Sequence, residues 1–168
     1  MTTKQITIPQ DFILGAAASA WQTEGWSGKK AGQDSGIDLW DKNDRHVWHN
    51  GYGPAVATDF INRFREDVAL MKQAGLTHYR TSINWSRFLT DYEKVTVDEE
   101  YAAYYDALFD EMHRQGIEPM ICLEHYELPG VLLDTYGGWA SKQVVDLFVR
   151  YAEKVFERYH GKVTRWFT

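Results

Sequence analysis

The chain has one cysteine in 168 residues, Cys122, so no intrachain disulfide is open to it; in its apolar run it reads as a buried, inert thiol. There is no excess of positive charge. A formal net charge of −6 argues against nucleic acid or an anionic membrane as a general partner, though not against a local basic pocket for one phosphate. There is no long hydrophobic run: nothing approaches the roughly 20 apolar residues of a membrane span. Met1 to Asp11 holds no apolar segment of signal-peptide length, and a cytoplasmic location is the expectation. Glycine-rich phosphate loops of the Walker or Rossmann kind are missing, as is a serine nucleophile elbow. His46 and His49 sit at metal-like spacing, but with no cysteine or second cluster nearby they read as surface histidines, so no metal or other cofactor is expected.

What the chain does have is aromatic side chains, 15% of its residues, with 7 Trp and 10 Tyr. Most of them can be explained by core packing, and a fraction by stacking on sugar rings. The remaining composition, 44% hydrophobic and 25% charged, is that of an ordinary globular domain with a real core.

Helical and extended segments alternate along the chain. Phe12 to Ser19 is short, apolar and without a helical period, and reads as a buried strand. A long polar and aromatic loop follows, Ala20 to Ala55; loops of that length are usually functional. Phe60, Phe64, Val68 and Met71 mark a helix over Asp59 to Ala74, closed by Gly75, and His78 to Asn84 reads as a strand. Val97, Tyr101, Tyr104, Leu108 and Met112 stripe a second helix to Gln115, closed by Gly116 before a strand from Glu118 to Leu123. Ser141 is a plausible N-cap for a third helix carrying Val144, Phe148, Tyr151, Val155 and Tyr159, which Gly161 ends before a strand from Val163 to Thr168. The order β-α-β-α-β-α-β implies a parallel sheet, and long loops before the second and third helices fit a (β/α)₈ barrel. A doubly wound sheet fits the same pattern.

Three segments carry chemistry. Trp21-Gln22-Thr23-Glu24-Gly25 pairs an amide that can bridge adjacent hydroxyls with an indole face, although loop packing also explains it. Arg80 lies within a strand and needs a carboxylate, as a structural ion pair or as the group that orients a catalytic carboxylate. Glu124 and Glu127 flank His125 at a strand end, where barrel enzymes place functional residues. Three residues apart, the two glutamates are poorly placed to face each other across a scissile bond. His125 is the better candidate, as a hydroxyl-binding group or a satisfied core histidine. Tyr136-Gly137-Gly138-Trp139 presents a further indole on a glycine-rich loop.

Together these segments resemble glycoside hydrolase family 1, the β-glucosidases and 6-phospho-β-glucosidases. The pieces are Phe12-Ile13-Leu14-Gly15 through Gln22-Thr23-Glu24-Gly25, Arg65-Glu66-Asp67-Val68, Tyr79-Arg80 through Trp85-Ser86-Arg87, Gly116-Ile117-Glu118-Pro119, His125 through Leu128-Pro129, and Gly137-Gly138-Trp139. The order and spacing make the set specific where each piece alone is weak. The resemblance implies an α/β fold of the (β/α)₈ TIM-barrel family, the chain covering about the first four strands and three helices, so that residues 1–168 form the N-terminal half of one domain. It implies a retaining mechanism with two glutamates. Gln22 and His125 carry over as ligands of the sugar hydroxyls, Tyr126 as a neighbouring substrate contact, Trp139 as a lining residue, and Arg80 as the partner of the nucleophile.

The family's acid sits in an Asn-Glu-Pro segment after the fourth strand and its nucleophile in a later one, and this sequence matches neither. No hydrolysis is therefore expected of the 168-residue chain alone, which with open sheet edges is expected to self-associate. A truncated half-barrel that acts through association or weak sugar binding is the non-enzymatic alternative. Tyr126, Glu127 and Thr81 depart from the family's usual Trp, Asp and Phe. Trp26-Ser27-Gly28-Lys29-Lys30, Trp48-His49-Asn50-Gly51 and Arg80-Thr81-Ser82-Ile83 look most like the bacterial 6-phospho-β-glucosidases. The expected partner is a small β-glucoside or its 6-phosphate. A phosphate-handling barrel of central metabolism would share the fold but not the Gln22, His125 and Trp139 set.

Overall fold

Left-handed glycines end two of the long helices, Gly75 at φ +78° and Gly116 at φ +72°, a conformation that a Cβ would strain. They belong to a computed structural model that describes residues 7–9 and 11–168, so most of the Met1 to Asp11 stretch lies outside the described residues. The elements in chain order are β1 (Gly15–Ala17), α1 (Ala20–Thr23), α2 (Gly36–Asn43), α3 (Phe60–Gln73), β2 (His78–Ser82), α4 (Trp85–Phe88), β3 (Leu89–Asp91) and β4 (Thr96–Val97). Then come α5 (Glu99–Gln115), β5 (Glu118–Cys122), α6 (Gly130–Tyr136), α7 (Lys142–Tyr159) and β6 (Arg165–Phe167).

The caps explain where the helices begin. Asp98 accepts from the Tyr101 amide and starts α5, so Val97 belongs to β4 rather than to the helical stripe. Ser141 accepts from the Gln143 amide and starts α7. Inside the long first loop, a reciprocal capping box between Ser35 and Asp38 starts α2.

β1, β2, β5 and β6 form one four-stranded sheet in that order, with every neighbouring pair parallel. Strand order follows chain order without reversing. Right-handed crossovers that always step the same way put all their helices on one side of the sheet, whereas a doubly wound sheet reverses direction and covers both. The sheet is thus a segment of a (β/α)₈ barrel, and α3, α5 and α7 are its outer shell.

Alternation along the strands divides the sheet residues. Tyr79 and Ile121 are buried against the helices in one continuous core with Phe64, Val68, Leu108, Val144 and Tyr159, and Ala16 and Trp166 pack against it. Trp85, Phe88, Tyr105 and Phe109 are fully buried there, each contributing about 1.5–3 kcal/mol or more by leaving water. Ala17, Arg80, Met120 and Arg165 are register partners in one row of the opposite face, and Ser82, Cys122 and Phe167 in the next. On that face Phe167 is 43% exposed, whereas Cys122 and Ser82, which accepts from the Ala20 amide at the start of α1, are buried.

β1 is shorter and less buried than the Phe12 to Ser19 pattern implies. It pairs only with β2, and Phe12, Ile13 and Leu14 before it are 56%, 45% and 40% exposed. As an edge strand it has one neighbour to hide behind. Cys122 is buried and free, as expected. No helix among the described residues is long and apolar enough to cross a membrane.

Candidate functional site

The C-terminal ends of β1, β2 and β5 bring together residues more than 100 positions apart. Chain leaving β1 turns directly into α1, whose Gln22 is exposed with its amide oxygen accepting from Ser19 Oγ at 2.9 Å. That bond fixes the amide and leaves its NH₂ free to donate. On β2, Arg80 donates from Nη1 to the Ala18 carbonyl at 3.1 Å and from Nη2 to His125 Nδ1 at 3.0 Å. The guanidinium therefore ties β1 to the loop after β5. No carboxylate among the described residues forms an ion pair with it.

The Arg80 contact sets the state of His125. Arginine can only donate, so Nδ1 must accept and the ring proton lies on Nε2. Burial, then the Arg80 charge, lowers the His125 pKa. A neutral imidazole with a free Nε2–H is a suitable donor to a sugar hydroxyl.

Glu127 is fully buried beneath these residues. One of its oxygens accepts from Ser82 Oγ at 2.6 Å and the Trp21 amide at 3.4 Å, and the other from the His125 amide at 2.5 Å. Ser82 Oγ in turn accepts from the Ala20 amide at 2.8 Å. This carboxyl braces the turns after β1 and β5 against each other. Desolvation pushes its pKa up to about 8, against the pull of the Ser82 and His125 donors. Both oxygens are occupied, so it is not a free acid or nucleophile. Burial also raises the Glu124 pKa, opposed by backbone amides of residues 126–128.

Tyr126 is 67% exposed at φ +74°, beside the His125 ring at 5.4 Å. Such strain in a non-glycine residue persists where the surroundings enforce it, commonly at ligand sites. Trp139 is placed differently. It sits on the one-turn 3₁₀ helix at Gly138–Ala140, its ring 5.9 Å from Trp85 and 5.3 Å from Phe148, in the aromatic cluster of the helical shell. Arg80 and His125 touch, and Gln22 lies on the turn that Ser82 and Glu127 brace; Trp139 makes none of these contacts. His46 and His49 are exposed, and no group of three potential metal ligands occurs among the described residues.

The sequence reading missed Ser19, Ser82 and the brace made by Glu127. Ser19 stands three residues before Gln22, a separation at which an N-terminal serine and a side chain of the first helical turn meet, so it could have been suspected.

Known proteins resemble the chain in sequence and in fold. The sequence model described as Glycosyl hydrolase family 1 matches residues 4–168. An aryl-phospho-β-D-glucosidase of Bacillus subtilis (strain 168) is 38% identical over 170 residues, covering 96% of this chain and 36% of the relative. A β-glucosidase of Arabidopsis thaliana is 37% identical over 171 residues, covering 99% of this chain and 34% of the relative. The crystal structure of the AHE enzyme from Alicyclobacillus herbarius superposes with a TM-score of 0.89 at 33% identity, over 99% of this chain and 36% of that one. The chain thus spans about a third of the length of the curated relatives it matches. The family match over nearly the whole sequence and the barrel segment with its strand-end cluster lead to one conclusion: the chain belongs to glycosyl hydrolase family 1.

Proposed function

We propose that residues 1–168 are the N-terminal half of a single (β/α)₈ domain of a cytoplasmic retaining glycosidase that cleaves β-glucosides, with 6-phospho-β-glucosides as preferred substrates. The observation that carries the reading is Arg80. It is a strand-borne guanidinium on the open face, tied to His125 and without a carboxylate partner among the described residues. In a retaining glycosidase a later strand would supply that carboxylate as the nucleophile, about 5 Å from the acid across the scissile bond. Arg80 would hold it ionised and aimed. Gln22 and the Nε2–H of His125 would donate to sugar hydroxyls, and Tyr126 would flank the ring. The acid protonates the leaving oxygen, the nucleophile takes the anomeric carbon, and water releases the sugar. The phosphate preference is supported by relatives named phospho-cellobiase and 6-phospho-β-glucosidase.

The test is turnover of an aryl β-glucoside and its 6-phosphate by this chain alone and by the same chain extended through its reading frame to family length. The reading requires no turnover by the chain alone and turnover by the extended protein, faster with the phosphate. Hydrolysis by the 168-residue chain would defeat it.

The open face supports a second reading, a non-catalytic half-barrel. β1 and β6 are sheet edges with one neighbour each, and unpaired edges beside half-exposed Phe167 invite pairing. Self-association of the isolated chain belongs to this reading. A monomer by light scattering with a sharp melting transition would exclude it.

A further inference from the structure

Two helices open on the same pattern, a serine followed three residues later by a side chain that can accept a hydrogen bond: Ser35 with Asp38 at α2, and Ser19 with Gln22 at α1. The pattern suits a capping box, in which the serine oxygen accepts from the later residue's amide and that residue's side chain accepts from the serine amide. At α2 the box is closed. Ser35 Oγ accepts from the Asp38 amide at 3.2 Å, and Asp38 accepts from the Ser35 amide at 2.8 Å. At α1 it is open. The Ser19 side chain caps no amide; its hydroxyl donates instead to the Gln22 amide oxygen at 2.9 Å.

The acceptors that replace this cap come from the rest of the sheet. The Ala20 amide donates to Ser82 Oγ at 2.8 Å and the Trp21 amide to Glu127 at 3.4 Å, from 62 and 106 residues away. Ser82 Oγ donates to Glu127 at 2.6 Å, which joins the two acceptors into one unit. Ser19, Ser82 and Glu127 are all buried. The first amides of a helix need acceptors from outside it. With Ser82 and Glu127 in that role, the Ser19 hydroxyl is released for a second task. The consequence is seen at Gln22. In a closed box its side chain would fold back on the Ser19 amide, whereas here it is exposed, its oxygen held and its NH₂ free to donate.

We propose that Ser82 and Glu127 are positioning residues for Gln22: by capping α1 from across the sheet they hold its capping box open and keep the Gln22 amide in the sugar site. The role in sugar binding rests on the glycosidase reading; the capping switch rests on the hydrogen bonds alone. Glu127 also accepts from the His125 amide at 2.5 Å, so it is common to both sugar-binding groups. The Ser82 hydroxyl bonds to α1 and to Glu127, and makes no bond to His125 among the described residues.

The experiment compares amide hydrogen exchange in the ¹⁵N-labelled chain, in Ser82→Ala, and in Ser82→Ala combined with Ser19→Ala. Removing the Ser82 hydroxyl should let the box close, so that exchange of the Gln22 backbone amide slows by about fivefold, the strength of an ordinary serine cap. The double variant lacks the Ser19 oxygen and should show no slowing. Titration with methyl β-glucoside then separates positioning from general stability. Ser82→Ala should weaken the response of the Gln22 side-chain NH₂ severalfold and spare that of the His125 Nε2–H, whereas Glu127→Met, which removes both acceptors, should weaken both. Unchanged or faster Gln22 exchange in Ser82→Ala, or equal slowing in the double variant, would overturn the proposal. So would an equal loss of response at Gln22 and His125 in Ser82→Ala, or both responses intact in Glu127→Met. The expected exchange pattern with no sugar response at either group of the native chain would refute the glycosidase reading and uphold the capping switch.

Discussion

Arg80 donates to Nδ1 of His125 across 3.0 Å, joining the second strand of the sheet to the loop after the third. The contact makes a prediction about a proton. His125 should be neutral with its proton on Nε2, and should remain so below the ordinary imidazole value of 6.5, because burial and then the Arg80 charge both oppose its protonation. Two-dimensional ¹⁵N spectra of the imidazole report the tautomer directly. Arg80→Met should raise the His125 pKa. An Nδ1-protonated ring would remove the hydroxyl donor from the site.

Glu127 makes stability depend on pH in an unusual direction for a carboxyl. Its folded pKa of about 8 lies above the ordinary 4.5. The contribution is therefore fully present below 4.5 and is lost as pH rises toward 8, when the unfolded chain ionises and the folded one resists. The slope is at most roughly 1.4 kcal/mol per pH unit from this one group. Urea melts across that window should show the decline, and Glu127→Gln should flatten it. The amide keeps an acceptor for Ser82 or the His125 amide.

Gly15 is required by a close approach of chain to chain. A Cβ there would stand 2.6 Å from the His78 carbonyl oxygen, a backbone atom that cannot rotate away. Gly15→Ala should force β1 off β2 and destabilise by about 1–3 kcal/mol, the usual cost of overpacking. Loss of the Arg80 to Ala18 bond at 3.1 Å would accompany it, visible as a change in the His125 ring signals.

Glu24 and Arg87 are both buried, with the Tyr101 and Tyr105 hydroxyls on the carboxyl and the Tyr101 ring 4.3 Å beneath the guanidinium. Burial raises the Glu24 pKa despite Arg87. Arg87→Met should cost about 3–5 kcal/mol by leaving that carboxyl without its charge partner. Glu24→Gln should cost less, since the amide still accepts from one tyrosine. Denaturant midpoints of the two variants decide the ordering.

Much of this was legible in the sequence. The β/α alternation, the capping by Ser141 and the glycine stops at Gly75 and Gly116 are local signals, and helix ends read from them fall within two residues of those observed. The (β/α)₈ architecture came from the family resemblance, since local pattern also allowed a doubly wound sheet; the strand order decides it. Hidden from the reading were short elements without a period: α2 and α6, and the β3–β4 hairpin. Glu127 was hidden for another reason. Its partners Ser82 and Trp21 lie 45 and 106 residues away, and only the assembled sheet brings them within reach. Trp139 stands on a glycine-rich loop, and its neighbours Trp85 and Phe148 depend on how α4 and α7 pack, which no local pattern encodes.

The central claim is that Gln22, Arg80 and His125 form the sugar-hydroxyl half of a glucosidase site. The most direct measurement is a titration of the ¹⁵N-labelled chain with methyl β-glucoside and with glucose 6-phosphate, observing the Gln22 side-chain amide and the His125 Nε2–H together. Concerted, saturable shifts at both groups, reduced by His125→Phe, are the expected result. Shifts confined to other residues, or none at either group while the chain remains folded, would contradict the account.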